Sequence, residues 1–302
     1  MVLVGSSVAI SGTLTTAPLL TAQAIRYSAA AIVLVVRARS LHVPITAPRG
    51  CEWLWLTGIA ATGLVLFNIA VVRGVAHAQP AMIAVAVACA PVVLGVLGPL
   101  LQGHRPQRHI VLAATVVTAG AVLVEGSGHG DAAGIAWAVV GLACEAAFTL
   151  LAVPVLGRHG PWGVSVHSVW LGAAMFALLA ALTEGPAAAA RLSVANLGAV
   201  AYLALLVTVA AFILWYSTVA ALGPARVGLL TGIAPVSAAL TGMVAGSRSP
   251  SGLMWAGIAV VLMGLGAGLR SRASSEVVVR TSRQVVPAGW ASASASADGT
   301  LP

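Results

Sequence analysis

Lysine is missing from these 302 residues and acids are scarce: fifteen arginines stand against seven aspartates and glutamates. Charged residues make up 7% of the chain and hydrophobic ones 60%, whereas a soluble domain carries roughly 25% charged and 45–50% apolar residues. With a mean hydropathy of +1.02, no folded interior could hide so much apolar surface. Lipid must cover much of it, which makes the bilayer the first partner of the chain. The formal charge of +8 does not signify nucleic acid, because the arginines stand singly at the ends of apolar runs instead of sharing a face. Cys51, Cys89 and Cys144 lie far apart with no CxxC or Cys/His cluster, so neither a disulfide framework nor a zinc site is supported. No cofactor is expected, and the absence of GxxxxGK[ST] argues against ATP hydrolysis. The apolar N-terminus lacks a basic leader and runs on into further apolar segments, which is not the pattern of a cleavable signal peptide.

What is present is a series of apolar runs, each close to the twenty or so residues that cross a hydrocarbon core of about 30 Å. They predict ten transmembrane helices at 1–16, 18–37, 52–74, 80–101, 109–125, 132–153, 162–183, 197–221, 225–246 and 251–269. The fold class is thus an all-α membrane protein. Residues 271–302, ending in ASASASADGTLP, are small, polar and aperiodic and read as a disordered tail.

The arginines set an orientation. With the N-terminus in the cytoplasm, eleven fall on inward segments: Arg37, Arg39, Arg49, Arg105, Arg108, Arg158, Arg226, Arg270, Arg272, Arg280 and Arg283. Arg73, Arg191 and Arg248 fall outward, and Arg26 lies within a span. Eleven against three is a positive-inside signal, so both termini are expected in the cytoplasm, in a multi-pass protein of a bacterial plasma membrane.

The chain also repeats itself. Pro80, Pro91 and Pro106 recur as Pro224, Pro235 and Pro250, a constant shift of 144 that also carries Gly98 onto Gly242 and Gly120 onto Gly264. Three of fifteen prolines in one frame are hard to assign to compositional bias. The repeat unit holds five helices, an odd number, so the second copy would enter the bilayer upside down relative to the first. The expected division is 1–125, 131–270 and the tail. Inverted repeats characterise secondary transporters, whose substrate site lies near mid-membrane where the halves meet.

The stretch AAFILWYSTVAALGPARVGLLTGIAPVSAALTGMVAG (Ala210–Gly246) resembles the EamA module of the drug/metabolite transporter superfamily: an aromatic-rich helix, a Gly/Ala-Pro-Ala turn, then a helix with a central Ala-Pro. AQPAMIAVAVACAPVVLGVLG (Ala78–Gly98) is similar to a weaker copy. VGSSVAIS (Val4–Ser11) resembles the family's opening segment, and APLLTAQAIRYSAAA (Ala17–Ala31) its second helix with an Arg-aromatic pair. The chain departs from the family where His104 follows Gly103 and Ser247 follows Gly246, positions at which many members carry Glu, and it lacks the opening Trp. The resemblance implies a permease for a small organic metabolite or drug, without naming the substrate.

Several polar or aromatic residues inside the spans are candidates for the substrate pathway or for coupling. A central arginine costs about 2.5–3.5 kcal/mol on insertion scales, so Arg26 should face a cavity or a partner; it matches the arginine of the family at this place. Glu145, in GLACEAAFTLL, is the acid inside a span of the second half. Such a carboxyl can carry a proton or answer a cationic substrate, and Arg26 would then hold an anionic group or serve as its counter-charge. Gln23, Asn68 and His167 are polar groups in apolar surroundings, which act either in the pathway or as interhelical glue. Trp170, Trp215 and Tyr216 are candidate cavity walls. Pro91 and Pro235, read as mid-helix, would remove a backbone hydrogen bond and kink their helices in matched places, which suits gating.

An intramembrane enzyme is the competing class. Ser165 and His167 in GVSVH are two apart on a helix and point away from each other, and no HExxH or GxSxG motif is found. A non-transporting scaffold or receptor is the other alternative. The sequence therefore reads as a non-enzymatic secondary transporter, an exporter by alternating access. Protons are a candidate coupling partner, and a homo-oligomer is left open.

Overall fold

A computed structural model describes residues 17–126, 128–244 and 251–284. Its described residues form helices in nine segments: α1 Leu19–Ser40, α2 Glu52–His77, α3 Pro80–Leu101, α4 Arg108–Glu125, α5 Ala132–Leu150, α6 Val153–Thr183, α7 Val194–Leu222, α8 in two pieces, Pro224–Leu230 and Ile233–Val244, and α9 Gly252–Gln284. Eight of these are long and apolar enough to cross a membrane; the broken α8 is the ninth segment. No strand forms among the described residues, and a single antiparallel bridge joins Ala78 to Gly130. The expected first span, 1–16, lies outside the described residues, as do Val4–Ser11 and residues 285–302.

Local chemistry sets the ends. Asp131 accepts from the Gly134 N–H at 2.8 Å and starts α5. Ser193 and Asn196 start α7 with a reciprocal capping box. At the other end of α7, Gly223 takes φ 78°, a conformation glycine adopts without a steric cost, and Pro224 opens α8.

Four expectations are corrected. The α5–α6 boundary is a turn at Leu151 and Ala152, earlier than the expected end at 153, because Pro154 can only begin the next helix. The kink then comes at Gly160, with φ 63° beside Pro161. Pro91 and Pro235 are not mid-helix: α3 breaks at Ala88 and Cys89 and resumes at Ala90, while α8 resumes at Ile233. Each proline therefore occupies the first turn of a new piece, where its missing N–H has no helical partner to lose. Last, α9 runs on to Gln284, past the expected start of a disordered tail at 271, in a stretch without Gly or Pro to stop the helix.

The shift of 144 recurs in the backbone. It carries α4 onto the start of α9 and the two pieces of α3 onto those of α8 within a residue or so. Inside α2, Ala60–Leu66 is wound as a π-helix, and so is Leu203–Ala210 inside α7; the shift superposes these segments too. Corresponding helices pack together, α1 along α6 and α4 along α9. In the first pair Tyr27 stacks on Phe176 at 5.4 Å between ring centroids. In the second the backbones touch. A β-carbon on Gly120 would meet the Val261 nitrogen at 2.7 Å and the Gly257 oxygen at 2.8 Å, so only glycine permits the approach. Small residues at helix contacts are how membrane helices gain dispersion energy where lipid removes the hydrophobic drive.

Candidate functional site

Arg26 lies on α1 about 10 Å along the axis from Leu19, where α1 packs on the π-helical segment of α7. Its Nε donates to Thr208 Oγ1 at 3.0 Å and its Nη1 to Gln23 Oε1 at 3.3 Å. Its guanidinium carbon lies 4.9 Å from the centroid of the Tyr27 ring, a cation–π contact. Gln23 Nε2 donates to Asn68 Oδ1 at 2.9 Å, and Asn68 Nδ2 to the Leu64 carbonyl at 2.6 Å. Thr208 Oγ1 donates to the carbonyl of Leu203, five residues back. The π-winding of α7 accounts for the Thr208 end of this chain: it shifts the ladder to a five-residue spacing, and the hydroxyl meets the Leu203 carbonyl. Arg26, Gln23 and Asn68 thus come together as one network, with Thr208 added. Leu64 itself packs on the Gly172 backbone, and Gly63 on Phe148.

Glu145 occupies a separate place, about 20 Å along α5 from Ala132. Its carboxylate is partly buried and makes no hydrogen bond or ion pair among the described residues. It lies near enough to Tyr216 for the two groups to interact electrostatically. Phe148, one turn on, is 5.1 Å from Phe212 and 5.3 Å from Tyr216. The indole of Trp215 donates to Thr149 Oγ1 at 3.1 Å, and Tyr216 is wholly buried. Glu145, Trp215 and Tyr216 therefore share a neighbourhood on α5 and α7. No described ion pair joins Glu145 to Arg26.

His167 and Trp170 are brought elsewhere. The 41–51 connection folds back over α6, and His167 Nε2 bonds the Thr46 carbonyl at 2.9 Å while Nδ1 accepts from Trp170 Nε1 at 3.3 Å. Trp170 is 39% exposed and sets its edge to Trp53, so it does not wall the Arg26 network. Beside them the His159 ring is sandwiched, Nδ1 3.1 Å from Thr46 Oγ1 and Nε2 3.1 Å from Glu52. Glu52 also pairs with Arg158. This cluster fastens the arginine-rich end of α1 to that of α6.

A second fastening lies at the opposite end. The N-cap residue of α1, Pro18, has no side chain that could cap, and Glu184, beyond α6, supplies the missing group. Its carboxylate accepts from the N–H of Leu20 at 2.9 Å, the N–H of Thr21 at 2.8 Å and the Thr21 hydroxyl at 2.6 Å. Burial opposes ionisation of Glu184, but these donors outweigh it and hold the carboxyl below its ordinary range. An open recess of about 510 Å³, lined by Ala17, Pro18, Leu19, Thr183, Glu184 and Arg191, adjoins the clamp. Asp131 is likewise held low, by the Gly134 N–H and then by His77 at 3.1 Å.

Thr208, Glu184, Glu52 and His159 were not singled out by sequence. A threonine in an apolar helix commonly bonds its own backbone and carries no signal. Glu184 and Glu52 sit at span ends, where charges are ordinary. Their partners are more than a hundred residues away, and no local spacing reports such a pairing.

Comparison with known proteins shows what the chain resembles. Residues 132–267 match the EamA-like transporter family. An "Uncharacterized transporter YetK" of Bacillus subtilis (strain 168) is 24% identical over 88% of this chain and 83% of its own length. A "Probable terminal-alkyne amino-acid exporter" of Streptantibioticus cattleyicolor is 27% identical over 66% of this chain and 67% of its own. In fold alone, a protein crystal structure superposes with a TM-score of 0.75 at 21% identity, over 89% of this chain and 94% of that one. The apolar helices make the chain an integral, multi-pass membrane protein, and its second half is similar to the EamA-like transporter family, with relatives that are named as transporters.

Proposed function

We propose that this chain is an EamA-type permease, a secondary transporter built as ten helices in two inverted repeats, residues 1–125 and 131–270, that exports a small organic solute by alternating access. The observation that carries the reading is the network of Arg26, Gln23, Asn68 and Thr208, which sets one permanent positive charge well inside the spans, at the contact of α1, α2 and α7. Polar groups at such depth are expensive and mark solute paths. Support for inversion comes from the 144-residue correspondence of α2, α3 and α4 with α7, α8 and α9, together with the odd number of helices in each unit. The arginine distribution favours cytoplasmic termini. The exporter among the relatives favours outward movement of an amino-acid-like solute. The recess at Glu184 suits the outer mouth of the path.

On this reading Glu145 is the coupling residue: it exchanges a proton as solute passes, with Trp215 and Tyr216 beside it. His167 steadies the cytoplasmic end, and the breaks before Pro91 and Pro235 let α3 and α8 flex. The test uses proteoliposomes and the solute that producing cells release into their medium. Wild-type flux should accelerate under an imposed pH gradient. Glu145→Gln should bind that solute yet show no acceleration; undiminished pH-driven flux in Glu145→Gln would remove the coupling role.

A further inference from the structure

Arg26 carries a guanidinium group, and its hydrogen-bond partners do not cancel that group's charge. Thr208 and Gln23 are neutral acceptors, and the Tyr27 ring offers only a quadrupole. A counter-ion within the protein would have to come from seven acids, and none is paired with Arg26 among the described residues. Glu52 pairs with Arg158 and His159, Asp131 with His77, and Glu184 is spent on the start of α1. Glu125 ends α4, Glu276 belongs to the α9 extension, and Asp298 lies beyond the described residues. Glu145 forms no ion pair with Arg26 among those residues. Among the described residues, no acid pairs with the charge inside the spans.

Resting on the transport reading above, we infer that the solute carries a carboxylate and that Arg26 receives it. An uncompensated cation in a low-dielectric setting strongly favours a mobile anion. Nε is held by Thr208, and the outer edge of the guanidinium can then engage two oxygens side by side, the geometry of a bidentate carboxylate. A phosphate ester would bring a second negative charge, and no second arginine lies deep in a span to meet it. Thr208 is then a positioning residue. Its hydroxyl is fixed by the Leu203 carbonyl, which leaves a lone pair for Nε and turns the guanidinium fork toward the solute. Gln23 supports the same pose from one turn of α1 away, itself oriented by Asn68.

The test compares the media of cells producing wild type, Arg26→Gln, Arg26→Lys, Thr208→Val and Thr208→Ser, by untargeted mass spectrometry, with membrane levels and thermal stability of each variant measured alongside. The solutes released by wild type should bear a carboxylate. Their release should fall about tenfold or more in Arg26→Gln, the scale of losing one partner of a buried charge pair. Arg26→Lys should fall between, since it keeps charge without the fork. Thr208→Val should raise the half-saturating concentration several-fold with the maximal rate retained, and Thr208→Ser should restore it, a pattern that mere loss of packing would not give. Should Arg26→Gln fail to reach the membrane, the chemistry of the wild-type solutes and the Thr208 pair still decide. Released solutes without a carboxylate, or full release by a stable Arg26→Gln, would overturn the inference and leave the transport reading standing. Identical media with and without the wild-type protein would instead overturn transport itself.

Discussion

Glu184 shows how much one side chain can hold. Proline at the N-cap leaves the first N–H groups of α1 without a local acceptor, and the carboxylate from beyond α6 fills that place. Loss of a cap costs about 0.5–2 kcal/mol, so Glu184→Gln should lower stability by about 1–2 kcal/mol at neutral pH. The sign with pH follows from the depressed carboxyl. Its stabilisation is present above the ordinary carboxylate value of about 4.3 and is lost as pH falls through the lower folded value. Thermal unfolding in detergent should therefore show a gap between wild type and Glu184→Gln that closes in acid; a gap that widens in acid would refute the assignment. Of the residues in the Arg26 network, three were legible in the sequence, because Gln23, Arg26 and Asn68 are polar in apolar runs. Thr208 was not, and His167 was drawn away from the spans' interior by a connection that folds back to Thr46.

At the level of helices, apolar runs located nearly every segment, since a twenty-residue hydrophobic stretch has few alternatives to a spanning helix. Their irregularities were less visible. Proline marked the neighbourhood of the α3 and α8 breaks but not their position, because it is compatible with the first turn of the following piece. The π-windings at 60–66 and 203–210 had no sequence signature beyond the repeat itself. The glycines that let α4 and α9 touch are testable. Gly257 faces the Gly120 carbonyl at 2.7 Å from an added β-carbon, whereas Gly266, on the same helix, faces open space. Gly257→Val should cost about 1–3 kcal/mol, as overpacking does, or prevent assembly, while Gly266→Ala should leave thermal stability unchanged. Equal effects of the two would contradict the contact.

For the molecule as a whole, the two ends of the α1–α6 pair are fastened differently. Glu184 grips the start of α1, and Thr46 engages His159 and His167 at the opposite end. Helices α4 and α9 are closed against each other by glycine. The remaining helices α2, α3, α7 and α8 are broken or π-wound, and of these α2 and α7 bring Asn68 and Thr208 to the Arg26 network. In the proposed transport cycle, alternating access would expose one place to each side in turn, by movement of these helices against the fastened ones. The measurement that tests this most directly is the accessibility of the network from both faces of the membrane. With Cys51, Cys89 and Cys144 replaced, a single cysteine at Asn68→Cys is treated in sealed vesicles of either orientation with a membrane-impermeant thiol reagent. The account predicts modification from both faces, with the carboxylate solute slowing each; modification from one face only, or from neither, would contradict it.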